Sequence, residues 1–236
     1  MLQQRSSTPS QSYFKHTVYA LRFILKSEGL SYDYLQLPEI KKTKQLPVVL
    51  SKSEVWRLLF APRLLKHRIL LGLLYGCGLR CQEARNVRLS DLDFDRRTLH
   101  VVRGKGVKDR YVPLSTHLIR GLKTYISAEK PQEWLFNGDP NIHKSDLRYS
   151  QRTIQWIVKK AVQVAGLSKE VHTHTLRHSF ATHLLEDGLD IVSIKDLMGH
   201  ACVKTTMVYL HVAQSNPQRI FSPLDTLFQQ CAGKGK

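Results

Sequence analysis

Apolar residues recur along most of this chain at three- and four-residue intervals, the spacing of amphipathic helices. The first such pattern runs from Tyr13 to Glu28 and stops at Gly29. Its apolar stripe consists of Phe14, Val18, Leu21 and Leu25. Because a single helix cannot bury such a stripe alone, we expect this helix to dock on another surface.

A second series of patterns follows a segment with the composition of a linker. Residues 31–48 contain two prolines and the basic run Lys41, Lys42 and Lys44. Directly after them, the sequence from Ser51 to Glu54 is a capping-box pattern, in which the first and fourth side chains satisfy each other's backbone N–H groups. The sequence therefore predicts that a helix begins at this point.

Dense apolar residues from Arg63 to Tyr75 predict a buried helix that ends at Gly76 and Gly78. A further helix is expected to begin near Arg80. Additional helical patterns lie at about 116–128, 150–165, 175–187, 190–198 and 203–211. The body of the chain is thus predicted to be mainly α-helical.

Two short strands are expected within this helical body. Residues 98–103 (TLHVVR) and 110–114 (RYVPL) have strand-like composition, and the glycine-containing GKGVKD joins them as a hairpin. The predicted fold class is therefore mainly α with a small antiparallel β-sheet.

The charge balance indicates a polyanionic partner. The chain has 236 residues and a formal net charge of +17, from 36 lysines and arginines against 19 acidic residues. Such an excess raises affinity for nucleic acid, although a merely basic soluble protein is the alternative. A hydrophobic share of 42% is sufficient for a core and argues against global disorder.

Several classes of protein are disfavoured by the apolar runs and the cysteines. The longest apolar run, Ile69 to Tyr75, is far too short to span a membrane, and the N-terminus has no apolar stretch typical of a signal peptide. Four cysteines are too few for a disulfide scaffold, and no second close pair accompanies Cys77 and Cys81 to complete a zinc site. We expect reduced thiols and a cytoplasmic, DNA-associated protein without membrane contact.

Two arginines are candidates for binding a phosphate. A phosphoryl transition state spreads negative charge over its non-bridging oxygens, and guanidinium groups match that geometry. Arg80 and Arg177 each lie in an otherwise buried segment, where an arginine is costly unless it is paired. An ion pair with a core carboxylate is the alternative interpretation. Glu83, one turn after Arg80, could be that carboxylate or could orient Arg80 for catalysis.

Lysine and histidine side chains supply candidate groups for proton transfer. Lys105 lies between two glycines at the predicted hairpin tip, from which it could reach into a cleft, although GKG alone is typical of a solvated turn. His174 lies one turn before Arg177, on the same helix face. His200 follows a glycine at a predicted helix–helix turn and is expected to face the same pocket.

A metal site is the alternative interpretation of the clustered histidines. His174 and His178 are four residues apart, as zinc ligands often are, and two more histidines lie nearby. No HExxH glutamate accompanies them, so the pattern of a metalloenzyme is incomplete. We therefore predict that the chain has no metal site.

Tyr209 is the candidate nucleophile. It lies within VKTTMVYLHV, where a tyrosine is most often a half-buried packing residue. To act as a nucleophile, its phenol needs neighbouring arginine or histidine side chains that favour the phenolate. None of the candidate positions is convincing alone, but together they supply every group that metal-free attack on a phosphodiester requires.

These residues lie in three segments that resemble the tyrosine recombinase (phage integrase) family. The segments are YGCGLRCQEARNVRLSDLD, VVRGKGVKDRYVPL and HTHTLRHSFATHLLEDGLDIVSIKDLMGHACVKTTMVYLHV. The sequence motifs resemble those of Xer and integron recombinases, and the resemblance covers about residues 50–215. It implies a tyrosine recombinase catalytic-domain fold and a site-specific recombinase or integrase that cuts and rejoins DNA.

The resemblance also implies the part that each phosphate-binding residue plays. Arg80 and Arg177 clamp the scissile phosphate, and Glu83 supports the Arg80 side. Lys105 protonates the departing 5′-oxygen. No metal or other cofactor is implied, because a covalent link conserves the energy of the phosphodiester.

The remaining site residues and the partners follow from the same resemblance. Tyr209 attacks to form a 3′-phosphotyrosyl link, while His174 and His200 assist proton transfer and phosphate binding. The implied partner is double-stranded DNA. A homo-tetramer is expected on synapsed DNA sites, and a monomer is compatible with the free protein.

The organisation of the chain departs from the family at its N-terminus. Residues 1–48 are interpreted as a shortened core-binding region of one helix with a basic linker, 49–215 as the catalytic domain and 216–236 as a C-terminal tail. The tail could pack on its own chain or be exchanged between protomers. The short N-terminal region motivates one alternative, a truncated DNA-binding remnant without full strand exchange. A type IB topoisomerase-like activity is a second alternative because it uses the same residues, although the short chain argues against it.

Overall fold

Helix α1 (Gln11–Ser27) forms where the sequence predicts the first helix. In the computed structural model, which describes residues 11–31, 46–102, 109–138 and 146–213, this helix belongs to a first compact unit of residues 1–45. Gly29 follows it with a φ of +69°, a backbone conformation that glycine adopts without strain. Val18 of the predicted stripe is buried.

The second unit, residues 46–236, contains the predicted helical body. Its helices are α2 (Lys52–Phe60), α3 (Leu65–Gly76), α4 (Cys81–Arg85), α5 (Thr116–Glu129), α6 (Gln151–Val164), α7 (Thr173–Glu186), α8 (Ile191–Met198) and α9 (Val203–Thr206). Short 3₁₀ turns cover Leu89–Asp91 and Met207–His211. The predicted capping box is present, because the Glu54 amide donates to Ser51 Oγ and the Ser51 amide donates to Glu54 Oε2.

A three-stranded antiparallel sheet interrupts the helices. Its strands β1 (Leu92–Asp93), β2 (Thr98–Val101) and β3 (Arg110–Pro113) lie in sequence order. In the β2–β3 pair, Leu99 lies opposite Val112, and both are buried. The fold is therefore mainly α with a small antiparallel sheet, as the sequence predicts. The two-residue β1 was not predicted, because so short a strand carries no periodic signal.

Helix α3 lies at the centre of the core. Leucine and isoleucine side chains around most of its circumference are buried: Ile69, Leu70, Leu71, Leu73 and Leu74. A helix that is apolar on most sides is a core helix, and α3 contacts both α5 and α7. The position of α3 fixes the turn that follows it, and this turn leads to Arg80, the first predicted arginine of the site.

Helix α7 differs from α3 because many of its buried residues are polar. Ser179 Oγ accepts a hydrogen bond from the Leu50 amide at 2.9 Å, and His183 Nε2 lies 2.9 Å from the Leu50 carbonyl. Since a carbonyl can only accept, Nε2 carries the hydrogen and His183 Nδ1 accepts from the Tyr75 hydroxyl at 2.9 Å. These bonds join the start of the second unit to the helix that carries His174 and Arg177.

Parts of the prediction fall outside the described residues. These are most of the linker 31–48, the hairpin tip with Lys105, and the C-terminal tail after residue 213. In the portion that the structure does describe, every helix falls short of the length or apolar character needed to cross a bilayer.

Candidate active site

A buried carboxylate, Glu83 on α4, organises the site. Both oxygens of Glu83 accept hydrogen bonds from the Arg110 guanidinium at 2.8 and 2.9 Å, and Oε1 accepts a third from Arg80 at 2.8 Å. Arg177 Nη1 lies 3.7 Å from Oε2. Burial alone would raise the pKa of Glu83, but the hydrogen bonds from Arg110 and the surrounding charges lower it to about 2. The carboxylate therefore stays ionised and balances part of an excess of positive charge.

Arg80 is positioned by the turn between α3 and α4. Gly78 occupies that turn with a φ of +59°, and a Cβ built on it would lie 2.4 Å from the Phe180 ring. Arg80 then caps the N-terminus of α4, where its amide donates to Glu83 Oε2 at 2.8 Å. Its side chain is 35% exposed, so this guanidinium remains accessible to a ligand while Glu83 orients it.

Arg177 is buried in the body of α7. Its guanidinium donates to the backbone carbonyls of Gly78 and Met198, which bind it between the α3–α4 turn and the end of α8. Burial, followed by the charge of Arg80, lowers the pKa of Arg177 to about 9, which still leaves it protonated at neutral pH. Arg177 therefore supplies a fixed positive charge beside Arg80 and Glu83.

Arg110 belongs to this cluster, although it is not among the predicted site residues. It is the first residue of β3, it is 8% exposed, and its Nε donates to the Leu197 carbonyl at 2.7 Å. The strand alternation contains a usable signal, because Arg110 lies on the same face as the core residue Val112. A buried arginine at that position requires a carboxylate partner, which Glu83 provides.

His200 follows the left-handed Gly199 that ends α8. Its Nδ1 lies 2.9 Å from the hydroxyl of Thr206, which is fully buried, and the Gly199 carbonyl accepts a hydrogen bond from Arg80 at 3.4 Å. The predicted helix–helix turn is therefore present, and it places His200 next to Arg80. The hydroxyl of Thr206 fixes the orientation of the imidazole ring.

His174 lies in the first turn of α7, one turn before Arg177, as predicted. Its side chain is exposed, and its ring centroid lies 6.3 Å from that of His178. Burial of part of the ring, followed by the charges of Arg177 and Arg80, lowers the pKa of His174. It is consequently neutral over more of the physiological range than an isolated histidine.

Tyr209 lies in the 3₁₀ turn after α9 and is 1% exposed. Its hydroxyl lies 3.0 Å from His178 Nδ1. Burial raises the pKa of Tyr209, while the charges of Arg177 and Arg80 act in the opposite direction. From the sequence, His178 is a candidate only as a metal ligand, because its contact with Tyr209 depends on the packing of α7 against the 3₁₀ turn.

The structure thus brings together Arg80, Glu83 and Arg177, and it places His200 and Tyr209 around them. Lys105 lies outside the described residues. Two neighbours, Arg110 and His178, join the set through contacts that adjacent sequence does not reveal. Within the described ranges, no group of three histidine, cysteine or acidic side chains is arranged to hold a metal ion. Fixed positive charges around a phenol and neutral imidazoles can bind a phosphodiester and transfer protons to and from it.

Comparison with known proteins gives concordant results. Residues 48–216 match the family model described as the phage integrase family. A tyrosine recombinase of Pseudothermotoga lettingae is 38% identical over 214 residues, which cover 84% of this chain and 71% of that protein.

Solved structures also match. The crystal structure of XerA recombinase superposes with a TM-score of 0.66 at 27% identity, over 97% of this chain and 78% of that one. A post-cleavage complex of XerH site-specific recombinase bound to its palindromic difH substrate matches 72% of this chain and 51% of that one, with a TM-score of 0.63 and 25% identity.

Proposed function

Because this chain belongs to the phage integrase family of tyrosine recombinases, we propose that residues 49–215 catalyse site-specific cutting and rejoining of DNA through a covalent tyrosyl intermediate. Site-specific recombination is the activity of the family.

The convergence of Arg80 and Arg177 on the buried Glu83, next to Tyr209, carries this proposal. Two guanidinium groups in fixed positions can stabilise the charge that develops on the non-bridging oxygens of the phosphate. Glu83 is already bound on both oxygens by Arg110, so the exposed part of Arg80 is available for an additional anion. A core ion pair alone would not require a half-exposed arginine beside a buried tyrosine.

The proposed reaction proceeds by in-line attack. Tyr209 Oη forms a bond to phosphorus, and the bond from phosphorus to the 5′-oxygen breaks. The leaving oxygen receives a proton from Lys105, and His174 and His200 bind the phosphate and assist proton transfer. In rejoining, a 5′-hydroxyl from the partner strand gives its proton to Lys105 and attacks the phosphotyrosyl link. The bond from phosphorus to Tyr209 Oη breaks, and the phenol regains the proton that it lost in cleavage. No net energy source is needed, since one ester replaces another.

Double-stranded DNA is the proposed partner. The net charge of +17 favours a polyanion, and the similar XerH protein has been solved bound to its difH DNA. Two DNA sites must be held together for strand exchange, so a tetramer on synapsed sites is the proposed working assembly. We propose that residues 1–48 and the tail 216–236 contribute to DNA binding and to contacts between protomers.

A covalent-trapping assay tests the proposed function. Full-length protein is incubated with a pool of nicked duplexes whose sequence is randomised around the nick, and products that survive SDS are recovered and sequenced. We expect an enriched sequence with wild-type protein, and no adduct with Tyr209→Phe on the resynthesised duplex. Equal adduct formation by both proteins, or none by wild type over the whole pool, would refute the proposal.

A further inference from the structure

The hydroxyl of Tyr209 has a specific partner that is not among the predicted site residues. His178 Nδ1 lies 3.0 Å from Tyr209 Oη, and the two ring centroids are 5.7 Å apart. Both residues are held by their surroundings, because Tyr209 is almost fully buried and His178 lies in the middle of α7. The contact therefore joins the helix that carries Arg177 to the turn that carries the tyrosine.

The chemistry of the pair indicates the direction of the hydrogen bond. Burial, followed by the electrostatic effects of His174 and Arg177, lowers the pKa of His178 to about 4, so the ring is neutral at neutral pH. Burial keeps the phenol of Tyr209 protonated. The arrangement that satisfies both groups has the Tyr209 O–H donating to the unprotonated Nδ1 of His178, which leaves the hydrogen of the ring on Nε2.

We propose that His178 is a catalytic residue, the base whose Nδ1 accepts the phenolic proton of Tyr209 as Oη attacks phosphorus. This inference rests on the function proposed above. As the bond from Oη to phosphorus forms, the O–H bond of the phenol breaks and its proton moves to Nδ1. In rejoining, the phenol oxygen leaves phosphorus and takes the same proton back. The imidazolium that forms between these steps is adjacent to the negative charge of the phosphate, which favours the protonated ring and raises the pKa of His178 above its low value in the free protein.

The other two site histidines are less well placed to accept this proton. His174 is exposed, and its ring contacts that of His178 across 6.3 Å. His200 has its Nδ1 engaged with the buried hydroxyl of Thr206 at 2.9 Å. A general base must lie within about 2.6–3.2 Å of the atom it deprotonates, and the contact between His178 and Tyr209 meets that condition.

The decisive variant is His178→Asn, because an asparagine side-chain oxygen can occupy the region of Nδ1 and accept the hydrogen bond but cannot take the proton. On the duplex recovered by covalent trapping, we expect the single-turnover rate constant of cleavage to fall by about 10²–10⁴-fold, with DNA affinity unchanged. His117→Asn, the same substitution at an exposed histidine on α5, should cleave at the wild-type rate.

A chemical rescue separates proton transfer from structural damage. A fluorinated tyrosine at position 209 has a more acidic phenol and depends less on a base. In His178→Asn it should therefore raise the single-turnover rate constant of cleavage at least about tenfold. It should change the rate of the otherwise wild-type protein little. Cleavage by His178→Asn within threefold of wild type, faster cleavage, or absence of rescue would each overturn the inference.

A spectroscopic measurement covers the case in which the variant does not fold. Ring ¹⁵N shifts of His178 in the wild-type protein should report an unprotonated, hydrogen-bonded Nδ1 that changes in Tyr209→Phe. A protonated Nδ1 would overturn the inference. If wild-type protein forms no adduct at all, the proposed function fails first. If the adduct forms normally in His178→Asn, only the role of His178 fails.

Discussion

At the scale of single residues, the geometry of the site depends on Glu83, because one carboxylate holds three guanidinium groups in place. The Arg110 guanidinium binds it through two hydrogen bonds and is nearly buried, whereas the Arg80 guanidinium is bound through one oxygen and remains accessible. This division suggests distinct parts for the two arginines. Arg110 neutralises and orients the carboxylate, and Arg80 is the arginine that we propose binds the phosphate.

The substitution Glu83→Gln tests this charge balance. At neutral pH it should destabilise the fold by about 3–5 kcal/mol, because it leaves three arginines without their buried counter-charge. The pKa of Glu83 is lowered from 4.5 to about 2. The stabilisation by its charge is therefore fully present above pH 4.5 and is lost as the pH falls towards 2.

Urea unfolding of both proteins between pH 7 and pH 2 measures this effect. The difference in free energy of unfolding between wild type and Glu83→Gln should decrease as the pH falls from 4.5 towards 2. Glu133→Gln, at a carboxylate with a side chain 60% exposed, serves as the control and should change stability by less than about 1 kcal/mol. A constant difference between wild type and Glu83→Gln at every pH would contradict the assigned role of Glu83.

The residues that the sequence could and could not predict differ in a physical way. Arg80, Glu83, Arg177 and Tyr209 lie in segments whose order and spacing are distinctive. Arg110 and His178 act through contacts across 27 and 31 positions of the chain, which depend on how β3 and α7 pack. Lone residues of these types are common, and nothing in their immediate sequence identifies the partner.

At the scale of elements, the turn between α3 and α4 determines the site geometry. Its Gly78 has a left-handed conformation, contacts the Phe180 ring and accepts a hydrogen bond from Arg177 through its carbonyl. The same turn delivers Arg80 to the start of α4. A change in this turn should therefore alter both the stability of the fold and the distance between the two arginines.

Gly78→Ala should be destabilising, because a left-handed alanine costs about 1–2 kcal/mol and its Cβ would displace Phe180 at about 1–3 kcal/mol more. Gly76→Ala is the matched control. Gly76 lies in the last turn of α3, and a Cβ added there would have no neighbouring atom within 4 Å. Because alanine has a higher helix propensity than glycine, this variant should be more stable than wild type by up to about 1 kcal/mol. Thermal unfolding measures both, and equal melting temperatures for the two variants would contradict this view of the turn.

The elements themselves were largely predictable. The capping box at Ser51 and the apolar run of α3 fixed the start and the core of the second unit, since both are local signals. The predicted helix over 203–211 is in fact the short α9 followed by a 3₁₀ turn. Burial of both Thr206 and Tyr209, three residues apart, is compatible with the threefold period of that turn, which apolar spacing does not distinguish from an α-helix.

At the scale of the whole molecule, the net charge of +17 should dominate the affinity for DNA. Each phosphate that a lysine or arginine neutralises releases counterions, so the binding constant should fall steeply with salt. For about six to ten phosphate contacts, the dissociation constant for duplex DNA should rise about 10³–10⁵-fold between about 50 and 200 mM salt.

Fluorescence anisotropy with a labelled duplex measures that dependence. Tyr209→Phe should give the same slope as wild type, because a buried phenol makes no ionic contact. A dissociation constant that is insensitive to salt would show that ionic contacts of lysine and arginine with the phosphates do not dominate the affinity.

The central claim is that Tyr209 becomes joined to DNA, and the most direct measurement identifies the linked residue. Wild-type protein is trapped on the recovered nicked duplex, digested with nuclease and trypsin, and analysed by tandem mass spectrometry. The account predicts a nucleotide adduct on Tyr209, in the peptide between Lys204 and Arg219. An adduct on any other residue, or a trapped complex in which the Tyr209 peptide is unmodified, would contradict it.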